Sequence, residues 1–174
     1  SSGAISFGNG QVEEIVLEQD ATAIDSMKII GQTSAFIDGI PHVFVAGSIR
    51  QGEVVYVNGA VGMTLTIASV QPDGDMTPLT ADGTIQLIRG HSVSITATGF
   101  APDQDVNAWL FSDPILLGNT KTNGKGTVRD SFVVPPVTPN GDHTLQIRLL
   151  STDGKIVNFG LPVVVVDNVA DGGA

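Results

Sequence analysis

Cysteine is missing from all 174 residues of the chain. Its absence excludes disulfide frameworks, thiolate zinc sites and cysteine nucleophiles together. Any fold that this chain adopts is therefore held together without disulfide bonds, by apolar burial and hydrogen bonding.

Basic residues and long apolar runs are also scarce. Eight Lys and Arg stand against eighteen Asp and Glu, which gives a net charge of -10. Such a surface repels phosphate backbones and anionic headgroups, so we expect no nucleic-acid partner. The longest aliphatic run covers residues 161–166, well short of the about 20 apolar residues that span a bilayer. No membrane insertion is expected.

The pattern that is present is that of short strands joined by turns. Apolar residues recur at every second position, in runs separated by Gly, Pro, Asn and Asp, which predicts an all-β protein. The segment 11–30 fits either an amphipathic helix or a strand and turn, and we favour the strand because every other element is β. The predicted strands are residues 43–46, 53–57, 63–70, 84–88, 92–98, 106–111, 127–134, 143–150 and 155–166, the last with a break near 160–162.

A turn-rich segment at residues 70–84 interrupts this pattern. It contains two Pro and two Asp-Gly pairs and no large apolar cluster, which is typical of a domain boundary. We place the boundary near Asp82. The chain would then consist of an N-terminal β domain, residues 1–82, followed by a β-sandwich domain, residues 83–174, which the resemblance described below identifies as Ig-like.

Alternation within the strands predicts the core of the sandwich. Successive side chains of a strand point to opposite faces. Two inward faces are predicted in this way, formed by Val93, Ile95 and Ala97 on one strand and by Leu145, Ile147 and Leu149 on another.

Two single residues receive structural roles. Trp109 lies on the strand where immunoglobulin sandwiches bury a Trp, so we predict that it is buried between the sheets. His143 follows Asp142 at the corner that enters its strand, where an imidazole can bond to nearby main chain.

Several motifs from residue 63 onward resemble a known architecture. They are a GF-x-P turn at Gly99, Phe100 and Pro102, a P-x-x-LG element at Pro114, Leu117 and Gly118, and a G-x-HTL corner at Gly141, His143, Thr144 and Leu145. Over about residues 63–166 the chain resembles the Ig-like modules of large secreted or cell-surface bacterial proteins, particularly those of actinobacteria. The resemblance implies an extracellular or cell-surface spacer or adhesive unit without enzymatic activity.

The functional expectation is accordingly a non-catalytic structural or adhesive module. No nucleophile, base and orienting group can be assembled from motifs, so no enzyme is expected. One alternative is a module that binds a surface glycan or a protein, although aromatics make up only 5% of the chain. The partners would be other protein domains or identical subunits.

The other alternative is a subunit of a self-assembling filament. The segment 11–18 carries Val12, Ile15 and Leu17, and an extended segment of this kind can add to the sheet edge of a neighbouring copy.

Acidic residues near the boundary suggest one metal site, and no other cofactor is expected. Asp103 and Asp105 lie in a loop at the end of the sandwich where Asp153 also lies, with Asp73, Asp75 and Asp82 within reach from the linker. Oxygen ligands of this kind suit calcium. Asp is also the ordinary residue of turns, and solvated turn carboxylates are the alternative.

Overall fold

The computed structural model describes residues 28–32, 34–48, 51–111 and 114–168. Every regular element in these ranges is a β-strand. The described residues include no helix that is long and apolar enough to cross a membrane. The strands are β1 Lys28–Gln32, β2 Ser34–Ile37, β3 Ile40–His42, β4 Val45–Ser48, β5 Glu53–Asn58, β6 Met63–Val70, β7 Ile85–Ile88, β8 Ser92–Thr98, β9 Asp105–Phe111, β10 Ile115–Lys121, β11 Val128–Val133, β12 Gly141–Leu150 and β13 Ile156–Val166.

These strands form two sheets that pack face to face. Sheet I is seven-stranded, in the order β10-β9-β12-β13-β2-β3, with β7 as a second neighbour of β13. Sheet II is six-stranded, in the order β11-β8-β6-β5-β4-β1. Neighbouring strands are antiparallel except β7 and β13, which run parallel. The prediction of an all-β chain with an Ig-like sandwich is confirmed.

The long strand β13 uses one of its edges twice. Its residues 157–160 pair with β2, and its residues 163–166 pair with β7. Pro162 lies between the two partners, where the N–H that proline lacks is not needed for either ladder. The break predicted near residues 160–162 is therefore not a break in the strand but a change of partner along its edge.

The core is one cluster of buried side chains drawn from both sheets. The two inward faces predicted on β8 and β12 are buried, with each of the six residues at most 2% exposed. Phe159 of β13 meets Phe44 edge to face, with the ring centroids 4.9 Å apart. Pairs of this geometry contribute about 0.5–1.5 kcal/mol beyond their buried area.

The strands on the two sides of residue 82 are interleaved. The β2–β3 hairpin extends sheet I, while β1, β4, β5 and β6 extend sheet II. Phe44 and Leu65 share one core with Phe159 and Leu145. The boundary predicted near Asp82 therefore does not separate the described residues into two sandwiches. Residues 71–84 connect β6 to β7, and their turn composition could not reveal that the strands on either side pair with common partners.

Gly126 allows a close approach that tests this arrangement. It has a φ of +75°, and a Cβ at this position would lie 1.9 Å from the backbone oxygen of Phe100. We expect Gly126→Ala to lower the free energy of unfolding by about 2–4 kcal/mol, because a left-handed conformation and a backbone clash add together. Urea denaturation measures the change.

Gly124→Ala is the matched control. Nothing lies within 4 Å of a Cβ at Gly124, so its free energy of unfolding should change by less than about 0.5 kcal/mol. Equal stability of the two variants would contradict the close packing of this turn against Phe100.

Candidate ligand-binding face

The outward surface of sheet I is set by the alternation of β9. Val106, Ala108 and Leu110 of this strand are at most 1% exposed and lie in the core. Trp109 therefore lies on the outer face, where it is only half-buried. The prediction that Trp109 is buried between the sheets is wrong, because the strand's parity, not the size of the ring, decides its side.

The strand register arranges the outward residues in two rows across the sheet. The first row is Asn119, Asn107, Arg148, Asn158 and Phe36, on β10, β9, β12, β13 and β2. The second row is Leu116, Trp109, Gln146 and Gly160. The first row crosses five strands, which is four spacings of about 4.8 Å, or about 19 Å.

A β-bulge brings two residues of β10 into these rows. The register shifts between Ala108 and Trp109, so that Asn119 and Leu116 are paired with Asn107 and Trp109 although they are three residues apart. A bulge of this kind places one extra residue on its strand and re-aims the side chains beside it. Leu116 is 42% exposed as a result and extends the apolar surface next to Trp109.

An open concavity of about 530 Å³ lies over these two rows. The rings of Trp109 and Phe111 stack with centroids 6.3 Å apart and planes inclined by 29°. Gly160 adds no side chain opposite Gln146. The lining residues are Asn107, Trp109, Phe111, Leu116, Asn119, Gln146, Arg148, Ile156 and Asn158.

Amide side chains surround the aromatic pair. The Asn107 amide donates to Asn119 Oδ1, and Gln146 Nε2 donates to Asn158 Oδ1 at 3.4 Å. Each amide carries two N–H donors and a carbonyl oxygen with two lone pairs. These contacts orient the amides and leave donors and acceptors for a ligand. The concavity thus combines an apolar platform with a polar border.

The predicted calcium ligands lie in several separate turns and at the start of one strand. Asp73 accepts a hydrogen bond from the backbone N–H of Asp75 at 3.0 Å. Asp103 has a φ of 56° in the turn before β9. Asp105 begins β9 opposite Lys121.

The remaining two acids bind hydroxyl groups of their own turns. Asp82 accepts hydrogen bonds from the hydroxyls of Thr80 and Thr84. Asp153 accepts one from Ser151 and lies 3.6 Å from Lys155 Nζ.

No metal site results from these acids. Over residues 28–32, 34–48, 51–111 and 114–168, no group of three or more His, Asp or Glu side chains could hold a metal ion. The predicted junction site is thus not assembled. Its acids were grouped by residue type, but Asp73, Asp82 and Asp153 each accept a hydrogen bond within their own turn.

His143 and the residues of the N-terminal segment are the other predicted site residues. His143 Nε2 lies 2.8 Å from the backbone oxygen of Pro139, at the corner before its strand. Val12, Ile15 and Leu17 lie outside the described residues, as does most of the segment 11–30.

Comparison with known proteins yields structural similarity alone. No family model and no curated protein matches the sequence. An AA10 lytic polysaccharide monooxygenase from Streptomyces lividans is 16% identical, with a TM-score of 0.37, over 55% of this chain. The chain spans 63% of the length of that protein.

Two further structures are similar to the same degree. A cellulose-active polysaccharide monooxygenase from M. thermophila is 10% identical, with a TM-score of 0.38, over 83% of this chain and 79% of its own. A Niemann-Pick type C2 protein from Japanese carpenter ant is 16% identical, with a TM-score of 0.34, over 59% of this chain and 89% of its own. At these values the comparisons show the fold alone.

The expected lack of activity is corrected here. The prediction of a non-catalytic structural or adhesive module, and of no enzyme, rested on the resemblance to surface modules and on the lack of catalytic motifs, yet two of the similar structures are named as enzymes. The prediction of no cofactor other than calcium is corrected with it, since both of those proteins are named as monooxygenases. Fold class neither assigns nor excludes catalysis, and function must be argued from this chain's own residues.

The outward position of Trp109 changes the expected cost of removing it. Trp109→Ala should lower the free energy of unfolding by only about 1–2 kcal/mol, because the partly exposed ring lies on the outer face and its removal leaves no enclosed cavity. Phe159→Ala, which removes a ring that is 0% exposed, should cost about 3–5 kcal/mol. Urea denaturation of both variants gives the comparison. A larger loss for Trp109→Ala than for Phe159→Ala would contradict the outward placement.

The turn around Asp82 offers a titration test. Hydrogen bonds from the Thr80 side chain, and then from Thr84, hold the pKa of Asp82 below its ordinary value. The stabilisation that accompanies this lowered pKa is present above the ordinary value and is lost as the pH falls through the folded value. Thr80→Val should raise the pKa of Asp82 in a ¹³C NMR titration of its carboxyl carbon.

Asp153 is the internal control for this titration. Its pKa is also lowered, chiefly by the Ser151 side chain, and it should be the same in wild type and Thr80→Val. An unchanged Asp82 pKa in the variant would show that the Thr80 hydroxyl is not the cause.

Proposed function

We propose that the chain binds a polysaccharide on the outward face of sheet I. Trp109 and Phe111 form the apolar platform, and the amides of Asn107, Gln146 and Asn158 are the hydrogen-bonding partners. The observation that carries the proposal is the stacked aromatic pair in an open concavity bordered by amides.

The chemistry of the face matches that of a sugar. A pyranose ring presents C–H groups on its faces and hydroxyls at its rim, so it is apolar in one direction and polar in the others. An aromatic ring packs against the C–H face. An amide can donate to one hydroxyl and accept from another, which suits groups that are themselves donors and acceptors. Apolar contact with few, well-placed polar groups is the usual composition of a ligand site.

The shape of the face favours a long ligand over a small one. Small-molecule pockets bury 70–90% or more of a drug-sized ligand, whereas this concavity is open and its first row extends for about 19 Å across five strands. A linear chain laid across the strands would contact both rows. Because the residues stand on paired strands, little ordering is required on binding, which lowers its entropic cost.

The proposal also gives a location. Structural polysaccharides lie outside cells, so a protein that binds them would act in the extracellular space or at a cell surface.

Sedimentation with insoluble polysaccharides tests the proposal. The full chain is mixed with cellulose, chitin, xylan, β-1,3-glucan and pectin, and we expect retention on at least one of them. Trp109→Ala should weaken that binding by about tenfold or more, because aromatic anchors dominate recognition energies.

Val137→Ala is the control for this experiment. Val137 is 77% exposed and is not one of the residues that line the concavity, so its variant should bind as wild type does. Failure of the wild type to bind any of the five polymers, or wild-type affinity in Trp109→Ala, would refute the proposal.

A further inference from the structure

We infer that Arg148 makes this face select saccharides that carry an isolated carboxylate, such as a mostly neutral chain with single uronic acid units. The inference rests on the proposed function and names its ligand class.

Arg148 occupies the centre of the first row. It stands directly opposite Asn107 on one side and Asn158 on the other. Directly paired residues of neighbouring strands have their Cβ atoms about 4.5–5.5 Å apart. A ligand that lies across the row must therefore pass over the guanidinium group.

The guanidinium is charged, exposed and without a partner among the described residues. Arg148 is the one charged side chain among the nine that line the concavity. No hydrogen bond or ion pair joins it to any residue in the described part of the chain. Arg89 differs in this respect, since it binds Asp167, Asn140 and the backbone oxygen of Thr138. Arg89 thus fastens loops together, whereas the donors of Arg148 remain available.

The residues directly beside Arg148 supply no carboxylate to pair with its charge. The side chains beside it on β9 and β13 are amides, not acids. The nearest acid in the β9 sequence, Asp105, is two residues from Asn107 and stands opposite Lys121 in the strand register. A guanidinium presents its N–H groups as a planar fork that matches a carboxylate with two parallel hydrogen bonds. The guanidinium can therefore bind one carboxylate of a saccharide, while the surrounding amides bind the hydroxyls next to it.

The rest of the surface argues against a polyanion. The net charge of the chain is -10, so the protein as a whole repels a continuous polyuronate more strongly than a chain with one carboxylate. The Debye length is about 8 Å at physiological ionic strength. A single carboxylate on the guanidinium is therefore screened from distant acids, while a row of carboxylates is not.

Two monosaccharides that differ by one carboxylate test the inference. Methyl β-D-glucuronide and methyl β-D-glucoside are titrated into the ¹⁵N-labelled full chain and followed by NMR. The indole N–H signal is unambiguous because the chain has a single Trp. We expect both sugars to shift this signal, and the glucuronide to bind about tenfold tighter and to shift the Arg148 Nε–H as well.

Arg148→Gln and Arg129→Gln separate the fork from the net charge. Arg148→Gln should bind both sugars as weakly as the wild type binds the glucoside. Arg129 is an exposed residue of β11 in sheet II, so Arg129→Gln removes the same charge elsewhere and should keep the preference. Arg148→Lys should keep part of it, because an ammonium supplies the charge without the fork.

The outcomes that overturn the inference are distinct from failure of the proposed function. Equal affinity for the two sugars, or a preference that survives in Arg148→Gln, would remove the role of Arg148 and leave saccharide binding intact. Sodium acetate binding as tightly as the glucuronide would reduce the site to an anion contact. Trigalacturonate binding much more tightly than the glucuronide would refute the isolated carboxylate. If neither sugar shifts the indole signal and no polymer retains the protein, the proposed function itself fails.

Discussion

Alternate burial along β13 is the constraint on which the rest of the arrangement depends. Val157, Phe159, Leu161, Val163 and Val165 are each at most 1% exposed. Because these residues are buried, only this face of the strand can pack against sheet II. Its inner edge pairs with β12 over ten positions, and its outer edge receives both β2 and β7. Asn158 and Gly160 therefore point outward. The pairing of β13 with β12 then places Arg148 and Gln146 on the same outer face.

The same alternation explains what could be predicted from sequence. Where apolar and polar residues alternate cleanly, as in residues 63–70 and 92–98, the strand bounds were correct. The strand β10 was missed because its bulge breaks the alternation. The strands β2 and β3 were missed because they are short and do not alternate between apolar and polar residues, since the outward residues Phe36 and Ile40 are apolar as well. The pairing of strands far apart in sequence, such as β2 and β13, leaves no local signal. The domain boundary predicted near Asp82 rested on local turn composition and could not take such pairings into account.

The candidate site was missed for a different reason. The sequence of β9 did indicate that Trp109 faces outward, because Val106, Ala108 and Leu110 alternate with it and form the inward face. An analogy with the buried Trp of immunoglobulin domains outweighed that parity. The two rows depend on the register between five strands, which the sequence does not contain. The acids illustrate the opposite error, in which residues of suitable chemistry were grouped although Asp73, Asp82 and Asp153 each bind a group of their own turn.

The double use of the outer edge of β13 has a consequence for the order of folding. The pairing of Ala35 with Phe159 closes a loop of more than a hundred residues, which is the kind of contact that slows folding. During synthesis the β2–β3 hairpin emerges long before the strand that completes its sheet. Until residues 156–166 have left the ribosome, the apolar side chains of the early strands have no full core to enter, and their edges are open to wrong partners. The last described strand therefore acts as the closing step of cotranslational assembly.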